Sequence, residues 1–174
     1  MTENQESFQS GVIAQSVETI LTQIGEDPNR EGLRATPIRV ERMMGELCRG
    51  YHQDLTTVVN GAVFKAEGDG IVFVDDISFY SLCEHHLLPF FGRVSVAYLP
   101  DEKVIGLSKI PRIVEMFSRR LQLQERLTHQ ILDALVSVIA PKGAVVRMEG
   151  HHLCSVMRGV RKEKARMVTM EAAG

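Results

Sequence analysis

No long hydrophobic run occurs in this sequence of 174 residues. Apolar stretches such as Leu87–Phe91 fall far short of the ~20 residues that cross a bilayer, so no membrane span is expected. The N-terminal residues Met1–Ser7 are polar and acidic and lead into no apolar segment, which excludes a secretory signal and predicts a cytoplasmic protein. Net charge is also nearly absent, at −2. A chain so balanced offers no bulk field to nucleic acid or anionic lipid, so any basic site must be local. Cysteines number only three, too few and the wrong parity for a disulfide framework, and in a reducing compartment they read as metal ligands or core residues. Internal repeats, low-complexity segments and linkers are lacking too. What is present, 44% hydrophobic and 24% charged residues, is the balance of a globular protein with one real core.

Helical and strand periodicities divide the chain. Between Phe8 and Ile24, Val12, Ile13, Val17, Ile20, Leu21 and Ile24 recur at helical intervals, and Gly25–Pro28 ends the run. A second helix is predicted with Thr36 as its N-cap and Pro37 at its first position, burying Val40, Met43, Met44 and Leu47. Cys48, near its end, reads as core. After an ambiguous stretch and a turn at Gly68–Gly70, the β-branched and aromatic runs Ile71–Val74 and Ile77–Tyr80 predict strands, and Arg93–Leu99 alternates as a half-buried strand should. Helices follow, one presenting Ile110, Ile113, Val114 and Phe117, the next running from about Gln122 to Ala140. Strands are predicted at Ala144–Met148, at roughly Leu153–Val160 and around Arg166–Met170. The expected organisation is one α+β domain, with an N-terminal helical segment (1–56) and an antiparallel sheet with helices on one face (57–174).

Two clusters stand out. Cys83-Glu-His-His86 sets a thiolate and an imidazole three residues apart, and His151-His152-Leu-Cys154 is the one other dense Cys/His group. Zinc takes thiolate sulfur and imidazole nitrogen in tetrahedral geometry, and a catalytic site keeps one position open. Cys83, His86 and Cys154 would form such a Cys₂His site. In an extended chain His152 would share a face with Cys154. His85 would point away from His86 in a regular strand, so its use there requires a turn or bulge at 83–86.

These clusters, together with Gly106-Leu-Ser-Lys-Ile110, Gln122-Leu-Gln-Glu-Arg-Leu-Thr128 and Met157-Arg-Gly-Val160 in this order, make the chain resemble GTP cyclohydrolase I from Ala35 to about Thr169. The resemblance implies the tunnelling fold: a four-stranded antiparallel sheet with two helices between its second and third strands, after N-terminal helices. It implies a ring-shaped homodecamer with active sites between subunits, and conversion of GTP and water to 7,8-dihydroneopterin triphosphate and formate on the way to folate and other pterins. Its zinc ligands fall on Cys83, His86 and Cys154, and its catalytic groups on His85, His152 and Ser108. Its guanine-binding pair falls on Gln124 and Glu125, and its triphosphate contacts on Lys109, Arg112, Arg158 and Arg39. The chain departs from the family pattern at His151, an additional imidazole, at Pro111, and in ending at Gly174.

The chemistry suits these residue types. Zinc lowers the pKa of its bound water to about 7, and two imidazoles titrating near neutrality can carry the protons that C8 hydrolysis and ribose rearrangement require. A Glu125 carboxylate matches the N1–H and N2 amino donors of guanine, while Arg158, Lys109, Arg112 and Arg39 suit a triphosphate. Three rival readings differ testably. A nitrile reductase on the same fold would need no tight metal, a zinc nucleoside deaminase needs a Pro-Cys-x-x-Cys signature that is absent, and a non-catalytic relative would keep zinc without turnover.

Overall fold

A computed structural model describes residues 11–174, so Phe8, expected to open the first helix, lies outside the described residues. The chain divides into two compact units, Met1–Cys48 and Arg49–Gly174. In the first, helices α1 (Val12–Gln23) and α2 (Thr36–Leu47) pack on each other. Glu41 closes the start of α1, its carboxylate accepting from the N–H groups of Gly11 at 2.9 Å and Ala14 at 3.0 Å, donors that a helix start leaves unpaired. Thr36 is not the cap of α2. The turn before it runs straight into the helix, the Thr36 N–H donates to the Leu33 carbonyl, and Ala35 takes the capping position. Nor does α2 bury its apolar face: Glu41 alone is buried, Val40, Met44 and Leu47 are half-buried, and Met43 is 45% exposed. Among the described residues of this unit, the two helices share a single seam and no third element covers the rest.

The second unit begins with a 3₁₀ turn at Arg49–His52 and the short helix α3 (Leu55–Val59). Both lie in the second unit; the boundary expected from the sequence, between 56 and 57, falls within α3. The Gly50 N–H donates to the Arg119 carbonyl, and Lys109 Nζ to the Val58 carbonyl. Strands β1 (Val63–Lys65), β2 (Val72–Cys83), β3 (Pro89–Leu99) and β4 (Lys103–Ile105) follow, then helix α4 (Lys109–Ser118), β5 (Leu121–Gln122), helix α5 (Gln124–Ile139), β6 (Gly143–His152), a one-turn helix α6 (Leu153–Val156) and β7 (Met167–Ala173). β1 and β4 form a small ribbon. The main sheet has the order β5-β2-β3-β6-β7, antiparallel except for the two-residue parallel pairing of β5. The two predicted runs at 71–80 are one strand bent by a bulge between Val74 and Ile77, where Asp76 takes a positive φ of 58°.

Helices α4 and α5 cover one sheet face. Phe79, Phe90, Val94, Val96, Val146 and Met148 from the strands meet Ile110, Ile113, Val114, Leu127, Ile131 and Leu135 from the helices, each at most 2% exposed. Pro111 sits in the first turn of α4, where a helix makes no use of the missing N–H, so it leaves the helix intact. The other face carries Ser78, Tyr80, Phe91, Arg93, Glu149 and His151 around an open depression. Among the described residues, no helix is long and apolar enough to cross a membrane.

The predicted strand at 153–160 is replaced by α6 and a turn. β6 pairs with β3 up to Phe90–His152, and β3 starts at Pro89, whose nitrogen has no hydrogen to extend the ladder. The chain therefore coils at Leu153, and Gly159 and Arg161 turn it with positive φ.

Candidate functional site

The end of the sheet is where the two Cys/His clusters meet. Leu82 pairs with Pro89 and Phe90 with His152, so the last residues of β2, the first of β3 and the last of β6 lie side by side. Cys83, 5% exposed, ends β2 and starts a tight turn. The Leu87 N–H donates to the Cys83 carbonyl at 2.9 Å, the Cys83 N–H to the Leu88 carbonyl at 2.9 Å, and Leu87 takes φ of 55°. This is the turn that use of both His85 and His86 requires. It folds His86 back beside Cys83, and the first turn of α6 brings up Cys154.

The ligand atoms of Cys83, His86 and Cys154 all lie within 4.8 Å of one another. Two thiolates on one tetrahedral zinc sit about 3.8 Å apart, given Zn–S near 2.3 Å. The set therefore needs a closure of about 1 Å at most to hold such an ion. Burial, and next the neighbouring Cys83 thiol, push the Cys154 thiol above its ordinary pKa. A proton on Cys154 must then leave when a metal binds, which makes affinity fall with falling pH.

Two further side chains, His85 and Arg158, contact this group, and His152 and Glu125 belong to the same end of the sheet. His85 Nδ1 is 3.9 Å from Cys83 Sγ and its side chain is 60% exposed, on the outer side of the turn. Arg158 Nη1 donates to His86 Nε2 at 3.1 Å and to the Cys154 carbonyl at 3.0 Å, so its guanidinium adjoins two of the three candidate ligands. His152 stacks on Phe90, with ring centroids 4.5 Å apart and planes 7° from parallel. Burial lowers its pKa, and the carboxylate of Glu125 partly opposes this. Glu125 itself is exposed in the first turn of α5.

Other predicted residues are placed differently. Gln124 does not face solvent with Glu125: it is 1% exposed, its amide nitrogen donating to the carbonyls of Met148 and Met167 and to Thr169 Oγ1, and its oxygen 2.8 Å from His152 Nε2. Lys109 is 7% exposed, with its ammonium on the Val58 carbonyl at 3.1 Å. Ser108 and Arg112 are exposed at the same end of α4, and Ser108 makes no side-chain cap bond. The opposite end of α4 is the one near the site, since Ser81 Oγ donates to the Arg120 carbonyl. α4 has ten residues and is about 15 Å long; Ser108 and Lys109 lie at its far end and Arg112 one turn in. Arg39 is exposed on α2 in the first unit. His151 points to the other face of the sheet, where its ring lies 5.8 Å from that of Phe91.

Arg126 is a site neighbour to which the sequence analysis gives no role. It donates through Nη2 to the Glu84 carboxylate and to the Leu121 carbonyl, and through Nε to Gln122 Oε1. It thus ties the start of α5 to the 83–88 turn. Nothing in the local pattern marks this, because Glu84 and Arg126 belong to different elements.

Comparison with known proteins bears on the family and the fold. Residues 13–174 match the family model described as GTP cyclohydrolase I. The chain is 54% identical over 158 residues to GTP cyclohydrolase 1 of Leptospira biflexa, covering 91% of this chain and 86% of that protein. It is 53% identical over 165 residues to the Coxiella burnetii enzyme of the same name, covering 95% and 90%. In structure it resembles an apo archaeosine synthase of the QueF-like type, with a TM-score of 0.52 at 17% identity over 62% of this chain and 97% of the other. That last likeness bears on the fold alone, which is the tunnelling fold. With its family model matched over almost its whole length and close relatives at more than half identity, the chain belongs to the GTP cyclohydrolase I family.

Proposed function

We propose that this protein is a zinc-dependent GTP cyclohydrolase I, converting GTP and one net water to 7,8-dihydroneopterin triphosphate and formate for tetrahydrofolate and other pterins. The observation that carries the reading is the convergence of Cys83, His86 and Cys154 at the sheet end that also holds His152, with Glu125 close by. A zinc ion held by the three ligands supplies Lewis acidity and a nucleophilic water near neutral pH. The protein's own groups do the rest. Glu125 accepts from guanine N1–H and the N2 amino group. His152, half-buried against Phe90, delivers a proton to N7 as water adds at C8, and the exposed His85 exchanges protons with solvent. A second water breaks the remaining C8–N bond and releases C8 as formate. Ribose rearrangement and ring closure return one water, so one is consumed overall. Arg158 beside the ligands is placed to pair with the triphosphate. Formate release from GTP, measured with metal content on the same preparation, tests the reading; metal without formate would instead favour a non-catalytic relative.

The active form is a homo-oligomer, on this reading a decameric ring, in which another copy supplies Ser108, Lys109 and Arg112. The position of Ser108 and Lys109 at the end of α4 away from the one that Ser81 contacts supports this. Light scattering should return a large ring and no active monomer. Mixing inactive Cys154→Ala with inactive Arg112→Ala subunits should restore part of the activity, because some sites then draw a sound residue from each copy. No recovery in exchanged rings would place both residues in one chain's site.

Removing the metal should leave a redox-sensitive pair. Cys83 and Cys154 share the 4.8 Å cluster and, after chelation in air, are expected to form a disulfide. Mass spectrometry should find a loss of two hydrogens on the peptides joining these cysteines, with Cys48 still free. Thiols that persisted after chelation and oxidation would show that the two sulfurs do not approach one another.

A further inference from the structure

Beside the metal ligands lies a closed polar network that ordinary base recognition does not explain. Gln124 opens α5 yet is 1% exposed, pressed onto the sheet. Two of its amide partners, the carbonyls of Met148 at 3.3 Å and Met167 at 3.0 Å, can only accept. The nitrogen must therefore face them, and the oxygen must face His152 Nε2 at 2.8 Å. That oxygen accepts, so Nε2 of His152 carries the hydrogen and Nδ1 is left as the nitrogen free for proton transfer. Thr169 Oγ1 accepts from the same amide at 3.1 Å and donates to Thr128 Oγ1 at 2.6 Å, whose own hydrogen goes to the backbone carbonyl of Gln124 at 2.8 Å. No buried side-chain nitrogen or oxygen among the described residues is left unpaired.

The network needs a gap in the sheet. Gly150 lies two residues before His152 on β6, and a Cβ built on it would sit 2.1 Å from Gln124 Oε1 and 3.4 Å from His152 Nε2. Any side chain at 150 must push the amide off the imidazole. Gly150 has no positive φ, so the space, not the backbone conformation, is what calls for glycine.

We infer that Gln124 is a positioning residue, not a reader of the base: seated in the space left by Gly150 and held by β7, it fixes the tautomer and ring orientation of His152. The imidazole is then clamped on two sides, by the Gln124 oxygen at Nε2 and by the face of Phe90. Glu125, next along the helix, is left as the one of the pair that meets guanine. The kinetic part of this inference rests on the cyclohydrolase reading; the tautomer does not.

Three measurements test it on the protein with its metal bound. Long-range nitrogen–proton NMR of ring-labelled histidine, with His152 assigned by comparison with His152→Ala, should show the Nε2–H form in wild type. It should show a mixture of tautomers in Gln124→Met. Hydrogen on Nδ1 in wild type overturns the inference whether or not GTP is the substrate. Gln124→Met and Gly150→Ala should each lower kcat by about 10- to 100-fold, the range for losing a group that orients a working side chain. Both should bind the GTP analogue with CH in place of N7 within about twofold of wild type, because that analogue keeps the N1–H and N2 donors. The double variant should lose no more than the worse single one, since both changes break the same bond. Gln124→Met that weakened analogue binding as much as Glu125→Gln, with kcat intact, would return Gln124 to the base. If wild type released no formate and bound no analogue, it is the GTP reading that fails, and the NMR result still decides the role of Gln124.

Discussion

Cys154→Ala is expected to purify without stoichiometric zinc and to release formate from GTP at least about 10³-fold more slowly than wild type, because metal-ion catalysis supplies several kcal/mol of transition-state stabilisation and each 1.4 kcal/mol is a factor of ten. Cys83→Ala and His86→Ala should behave alike, since each leaves two of the three ligand atoms that lie within 4.8 Å of one another. His85→Ala and His152→Ala form the contrasting pair. Neither belongs to the ligand set, so both should keep about one zinc per chain while losing about 10²- to 10⁴-fold in rate, the usual contribution of a positioned proton-transfer group. Metal analysis and a formate assay on the five proteins separate binding from chemistry. Full zinc content in Cys154→Ala would remove that residue from the metal site. Binding should also weaken as pH falls, because the thiol of Cys154, held above its ordinary pKa by burial and by Cys83, must give up its proton to the metal.

The second large effect concerns the choice of base. Glu125 stands exposed at the start of α5 in the single chain, close enough for its charge to act on His152. Bound guanine would cover it and present N1–H and the N2 amino group to its two oxygens. ATP offers an acceptor at N1 and a bare C2–H, which leaves a desolvated carboxylate unpaired. A site built to hydrogen-bond a substrate group rejects an analogue lacking it by roughly 10⁴ to 10⁵. GTP should exceed ATP in kcat/KM by that order, with ITP, which lacks only the N2 amino group, between them. Glu125→Gln should lose about 2 to 4 kcal/mol of transition-state stabilisation, the range for removing one partner of a buried charged hydrogen bond. Its zinc content and assembly should be unchanged. A Glu125→Gln protein that turned GTP over at the wild-type rate would make Glu125 a solvated surface residue.

Sequence reading and tertiary structure divide the work along a physical line. Cys83, His86 and Cys154 were legible in one dimension because thiol and imidazole are scarce, chemically committed groups, and metal coordination restricts them whatever fold carries them. The helices at 109–118 and 124–139 were legible because burial of one face imposes a period on the residues themselves. What the sequence could not carry were relations between elements. The reading of His152 beside Cys154 assumed an extended chain, yet the strand ends at His152 because Pro89 on the neighbouring strand cannot continue the ladder, and Cys154 arrives on a helical turn. Lys109 reads as a free cation and is tied to the Val58 carbonyl. Gln124 reads as the polar start of a helix, and only the packing of α5 on β6 and β7, over the missing side chain of Gly150, turns its amide inward to His152. The candidate metal ligands were therefore legible from residue chemistry alone. The partners of Lys109 and Gln124 were decided by strand register and helix docking, because hydrogen bonds between residues distant in the chain leave no period in the sequence.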